Sequence, residues 1–178
     1  MLNIFISYST KDIDYVNNVQ YSLEGLGNGI KIFRADQSVE PGEYLTDKIS
    51  TAITNCNLFL LFWSENAKKS EWVPLEVGKA HSLKKEILPL LLTQHLELPP
   101  FLYGMKYIPL YKNSINGLNQ IEKLVRYKLS DNELARDALT IGGTIVALSV
   151  AAFCRLKKNI DKKDANTAAK GKKSDNYS

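Results

Sequence analysis

The run Leu58–Trp63, LFLLFW, is six apolar residues with no polar interruption, and it constrains the fold more than any other feature. A strand with one wet face alternates apolar and polar side chains, so an unbroken run of strand length demands cover on both faces. Such a strand belongs in the middle of a parallel sheet with helices above and below it. Asn3–Tyr8 (NIFISY), Ile30–Phe33, Ile87–Leu92 and Lys106–Leu110 read as further strands. Segments of helical period lie between them: from about Thr10 to Leu26 with Thr10 or Asp12 as N-cap, Leu45–Thr54, Glu71–Lys84 with Pro74 in its first turn, and Gly117–Leu129. The alternation defines an α/β domain with a five-stranded, mostly parallel sheet.

At 178 residues the chain suits one globular domain and an appendage. Its net charge of +4 is unevenly placed. Residues 155–178 hold eight Lys and Arg against three Asp, a net +5 that leaves residues 1–154 at −1. A nearly neutral body excludes a basic nucleic-acid-binding domain. The expected organisation is a domain over 1–130, a linker over 131–137, an apolar helix over 138–154 and a disordered basic tail over 155–178. Cys56 and Cys154 form no CxxC, and His81 and His95 stand apart, so neither a disulfide scaffold nor a zinc site is expected. The opening residues show neither a basic n-region nor a long apolar core, and the expectation is a domain in the reducing cytosol.

The residues at the strand ends exclude several chemistries. A phosphorelay receiver needs acids after its first strand and an acceptor Asp after its third; here Ser7-Tyr8-Ser9 and Trp63-Ser64 stand there. There is no GxxxxGK[ST] loop and no GxSxG elbow. Gly25, Gly27 and Gly29 lie between a helix and a strand, where capping and a turn explain them better than a dinucleotide loop does. One carboxylate remains in a suggestive place. Trp72 and Glu76 are four apart on a helix that starts beyond the end of the central strand, and in open parallel sheets ligands bind at those strand ends. Ser7, Tyr8 and Ser9 reach the same edge, as does the loop Arg34–Tyr44. For an isolated Glu the alternative is a solvated face or a surface ion pair, and for Trp72 a packing role.

These residues resemble the TIR (Toll/interleukin-1 receptor) domain family over about residues 1–130. Phe5 to Asp12 (FISYSTKD) is similar to the family's first box. Ile32-Phe33, then Asp36 through Pro41-Gly42-Glu43 and Tyr44-Leu45, is similar to its BB loop, and Ser70 to Glu76 (SEWVPLE) to the S-x-W-x-x-x-E segment of its enzymatic branch. The resemblance implies a flavodoxin-like sheet with helices on both faces and, from the NAD⁺-cleaving prokaryotic branch of Thoeris type, an NAD⁺ glycohydrolase in antiphage or innate immune signalling. By that resemblance Glu76 is catalytic, while Ser7, Tyr8, Ser9, Thr10, Arg34, Asp36, Gly42, Tyr44 and Trp72 contact the substrate. Tyr44 either stacks on a base or is an ordinary helix-start aromatic. Where some relatives carry arginines this chain has Ser9 and Thr10, so phosphate contacts fall to hydroxyls, to a helix N-terminus, or to Arg34 and Lys48. NAD⁺ is then the substrate, with no cofactor, no metal and no nucleic acid. The alternative is a non-catalytic adaptor acting through TIR–TIR assembly. A third reading, a nucleoside-processing flavodoxin-like relative, sits poorly with the first-box and BB-loop matches.

The expected partners are further copies of the chain, through the TIR domain and the C-terminal helix, and an effector that senses the product. Residues 138–154 carry no charge, and as a helix they would cover about 25 Å, short for a bilayer core of about 30 Å. Gly143, Ala147 and Ala151 make a small-residue stripe suited to close helix contact. The segment reads as a membrane anchor or an oligomerisation helix, and its apolarity on every side favours membrane association of a cytoplasmic domain. The basic tail opposes a span, because it would have to cross the bilayer.

Overall fold

The computed structural model describes residues 1–34 and 45–140. Strands β1 (Leu2–Ser7), β2 (Ile30–Phe33), β3 (Leu58–Trp63), β4 (Ile87–Leu91) and β5 (Ile108–Pro109) form one sheet in the order β2-β1-β3-β4-β5. Every pairing is parallel. The helices are α1 (Ile13–Glu24), α2 (Leu45–Asn55), α3 (Glu65–Lys68), α4 (Val73–Ser82) and α5 (Ser114–Thr140). All six residues of β3 are buried, as the uninterrupted apolar run requires.

Strand alternation sorts the core into two layers. Leu2, Ile4, Ile6, Leu58, Leu60, Phe62 and Leu90 pack with Val16, Val19 and Leu23 of α1 and with Ile121 and Val125 of α5. Phe5, Phe59, Leu61, Trp63 and Leu91 face the other way, against Ile49 and Ile53 of α2 and Val73, Val77 and Ala80 of α4. In this second layer Phe33, Phe5 and Phe59 make a ladder across three strands. Phe5 is in register with both neighbours, and its ring stacks on them with centroid separations of 5.3 and 5.1 Å.

The structure corrects several boundaries. A short helix, α3, follows Ser64, whose Oγ accepts from the amide of Ala67 at 2.9 Å. The Oγ of Ser70 accepts from the amides of Trp72 and Val73, so α4 begins at Val73 and not at Glu71. β5 is two residues long, because Pro109 brings no N–H to the ladder. α5 starts at Ser114, where Asn113 Oδ1 accepts from the amide of Asn116 at 2.9 Å. It runs on through 131–137, read from sequence as a linker, since Glu, Leu, Ala and Arg favour helix there.

The chain divides into two compact units, Met1–Asn132 and Glu133–Ser178. Among the described residues no helix is long and apolar enough to cross a membrane. Beyond Thr140, the apolar segment and the basic tail lie outside the described residues, as do Asp36, Pro41, Gly42 and Tyr44.

Phe5→Ala removes the middle ring of the ladder from a fully buried position. The expected loss is about 3–5 kcal/mol, read as a lower urea midpoint with an unchanged slope.

Candidate functional site

In the order β2-β1-β3-β4-β5 the chain reverses direction across the sheet between β1 and β3, and a crevice opens outside their carboxyl ends. Ser7 is the last residue of β1. Its side chain follows Phe5 onto the α4 face, where its hydroxyl donates to Glu76 Oε2 at 2.5 Å. Glu76 sits in the first turn of α4 and is only 7% exposed. One turn back, the carbonyl of Trp72 accepts from the Glu76 amide at 3.0 Å, and the indole stands 44% exposed. The two residues share a cleft of about 420 Å³ with Tyr8, Ser9, Thr10, Lys11, Lys69 and Ser70.

Burial pushes the Glu76 carboxyl up to about 7, and the Ser7 hydrogen bond pulls the other way. Desolvation dominates because taking a carboxylate out of water costs more than one hydroxyl returns. Glu76 is therefore partly protonated at neutral pH.

A second buried carboxylate ties the walls together. Asp12 accepts from Ser64 Oγ at 2.5 Å and from Asn66 Nδ2 at 2.8 Å, joining the segment after β1 to the segment after β3. Asp12 stands at the N-cap position of α1 but makes no side-chain cap bond, because its oxygens are committed across the crevice. Ser9 is the residue that caps, accepting from the amide of Lys11 at 3.4 Å ahead of a short 3₁₀ turn over Thr10–Asp12.

Of the residues expected at the site, Ser7, Tyr8, Ser9, Thr10, Trp72 and Glu76 come together, Ser7 through its bond to Glu76 and the rest as cleft lining. Arg34 is not among the cleft lining but packs against Tyr8, which is. It is buried, with Nη1 donating to Asn17 and Gln20 at 2.8 and 2.7 Å and Nε to the Tyr8 hydroxyl at 3.2 Å. Its guanidinium lies over the Tyr8 ring, 5.2 Å from the centroid. Lys48 lines a separate groove beside β2. The cations that line the Glu76 cleft are Lys11 and Lys69, which sequence analysis passed over. Lys11 lies inside the first-box stretch, whereas Lys69 becomes visible only once α3 is known. Among the described residues no three His, Cys, Asp or Glu side chains are grouped to hold a metal. Cys56 is buried, its thiol donating to the carbonyl of Ile53 at 3.2 Å, and burial raises its pKa.

A parallel sheet with a buried carboxylate and hydroxyls at its switch-point crevice has its cleft where open α/β sheets commonly hold ligands. The chain belongs to the TIR domain family, whose sequence profile matches residues 4–125. It is similar to the TIR domain of a Toll-related receptor from Hydra magnipapillata, with 24% identity over 67% of this chain and 99% of that one and a TM-score of 0.53. A TIR-STING receptor from C. gigas, in complex with 2′,3′-cGAMP, is 26% identical over 68% of this chain and 40% of its own length, with a TM-score of 0.55. A CMP N-glycosidase from Clostridium botulinum shares the fold at 21% identity, over 67% of this chain and 97% of that one, with a TM-score of 0.50. No curated protein matches the sequence.

The raised pKa of Glu76 gives a signed prediction. The folded chain keeps a proton that the unfolded chain releases near the ordinary value of 4.5, so stability is lost as pH rises from there through about 7. Glu76→Gln removes that loss. At pH 8 the variant should be more stable than wild type by up to about 3 kcal/mol, and below pH 4.5 the two should converge in thermal melts.

Proposed function

We propose that this TIR domain cleaves the bond between nicotinamide and ribose in NAD⁺, with Glu76 as the catalytic residue. The observation that carries the reading is the buried carboxylate of Glu76, which accepts from Ser7 in the switch-point cleft that the exposed Trp72 also lines. Most glycosidases need two carboxyl groups, one of them to protonate the leaving group. Nicotinamide departs neutral from a cationic pyridinium, so here no acid is needed. One carboxylate suffices to attract the pyridinium, to orient the ribose hydroxyls and to stabilise the oxocarbenium ion as the C1′–N bond breaks.

The remaining parts of the cleft suit the rest of the substrate. Trp72 offers a flat face to a base or to the nicotinamide ring. Lys11, Lys69, Ser9 and Thr10 offer charge and hydroxyls to the diphosphate. Water attacking C1′ gives ADP-ribose and a proton, while attack by a nucleophilic atom of the same ADP-ribose gives a cyclic isomer. The fold is compatible with such chemistry, since the Clostridium botulinum relative is by name an N-glycosidase. A role in immune signalling, a cytoplasmic site of action and assembly through the TIR domain and the C-terminal helix belong to the same proposal, as do substrate contacts from Asp36, Gly42 and Tyr44, which lie outside the described residues.

The competing reading is an adaptor that acts through TIR–TIR contact alone. An adaptor gains nothing from a carboxylate buried at a cost and aimed into a cleft. Glu76→Gln preserves volume and the bond from Ser7, so the fold should survive while nicotinamide release falls by at least about a hundredfold. Wild-type kcat/KM should rise with pH through about 7, because the ionised carboxylate is the working form. A folded Glu76→Gln variant that releases nicotinamide at the wild-type rate would refute the assignment.

A further inference from the structure

Residues 92–107 join β4 to β5 and, with Tyr111 and Lys112 just past β5, line a second cavity at the carboxyl end of the sheet. Its volume is about 960 Å³, and it shares no lining residue with the Glu76 cleft, whose volume is about 420 Å³. Its floor is core, since Leu91 and Leu96 are buried with the cluster under α4. Its wall is pinned from below, where Trp63 Nε1 donates to the carbonyl of Glu97 at 2.9 Å. His95 and Gly104, both on the lining, take left-handed backbone at φ 60° and 79°. Left-handed backbone is uncommon for a histidine, and here it marks a sharp change of direction in the loop that carries the lining.

The lining has a definite chemical character. Tyr103, Tyr107 and Tyr111 contribute aromatic rings, and Lys106 and Lys112 stand with them. The one acid is Glu97, which accepts from the Tyr103 hydroxyl at 3.4 Å. Tyr103 is 62% exposed and Tyr107 46%, so flat apolar faces stand in water within a concave surface of positive sign. The packing of the core does not require them there. A ligand that covers these rings and meets the lysines is planar at one end and anionic at the other.

We propose that this cavity binds a nucleotide, the base stacking on the tyrosines and the phosphates meeting Lys106 and Lys112. The site is distinct from the Glu76 cleft and does not depend on what that cleft does.

ADP is the probe, because it has both ends of the ligand and no pyridinium bond to be cleaved. Titrated into the full chain and followed by amide chemical shifts, ADP should bind saturably, with the shifts centred on residues 94–98 and 103–112. Tyr107→Ala and Lys106→Ala lie at exposed positions and should each weaken binding by about fivefold or more, the change expected for one lost stack or one phosphate contact. Tyr21→Ala, at an exposed position of α1 outside both clefts, should leave the shifts of residues 94–98 and 103–112 unchanged. The proposal is overturned if wild type shows no saturable shifts up to about 10 mM ADP. It is equally overturned if binding vanishes in Trp72→Ala and persists in both cavity variants, for ADP is then reading the Glu76 cleft.

Discussion

The complete burial of β3 is the constraint on which the rest of the domain depends. Six consecutive apolar side chains with no exposed face have to be covered on both sides by helices, and a strand covered in that way is paired in parallel. Parallel connections return each chain segment over the sheet, so the strand carboxyl ends gather on one edge. With β1 beside β3, the loops that leave them diverge onto opposite faces and open the crevice between them. Hydrophobic cover, required by the composition of one strand, thus decides where polar chemistry can be done.

The carboxylate in that crevice is costly for the fold. Glu76 gives up water for a single described hydroxyl partner, and its proton affinity rises accordingly. Asp12 is treated differently, for Ser64 and Asn66 both donate to it, and together they hold the two walls at a fixed spacing. One buried carboxylate is satisfied and structural. The other has one described side-chain donor, Ser7, and lines the cleft, which is the environment in which the proposed chemistry would use it. A cation entering the cleft would relieve the unfavourable burial of Glu76, so ligand binding and ionisation of the carboxylate are coupled.

The central part of this arrangement was legible in the residues. LFLLFW announced the buried strand, and the four-residue spacing of Trp72 and Glu76 announced two side chains on one cleft. The failures have physical causes. Asp12 does take the N-cap position of α1, but a single sequence does not show that Ser64 and Asn66, more than fifty residues later, take up its oxygens in place of a cap bond. For Arg34 the charge is visible in the sequence and its bonds to Tyr8, Asn17 and Gln20 are not. α3 was missed because one capped turn is too short to show a period. The cavity lined between Leu91 and Lys112 was invisible because most of its residues lie in a connection that follows no repeat.

The central claim is that Glu76 is a desolvated carboxylate poised to meet a cationic substrate. Carbon-13 NMR of glutamate-labelled protein tests it most directly, by following the Glu76 side-chain carboxyl through a pH titration. The titration midpoint should lie at about 7 in the free protein and should fall when a non-hydrolysable NAD⁺ analogue carrying the pyridinium charge is bound. A midpoint near the ordinary 4.5, unmoved by the analogue, would contradict the account.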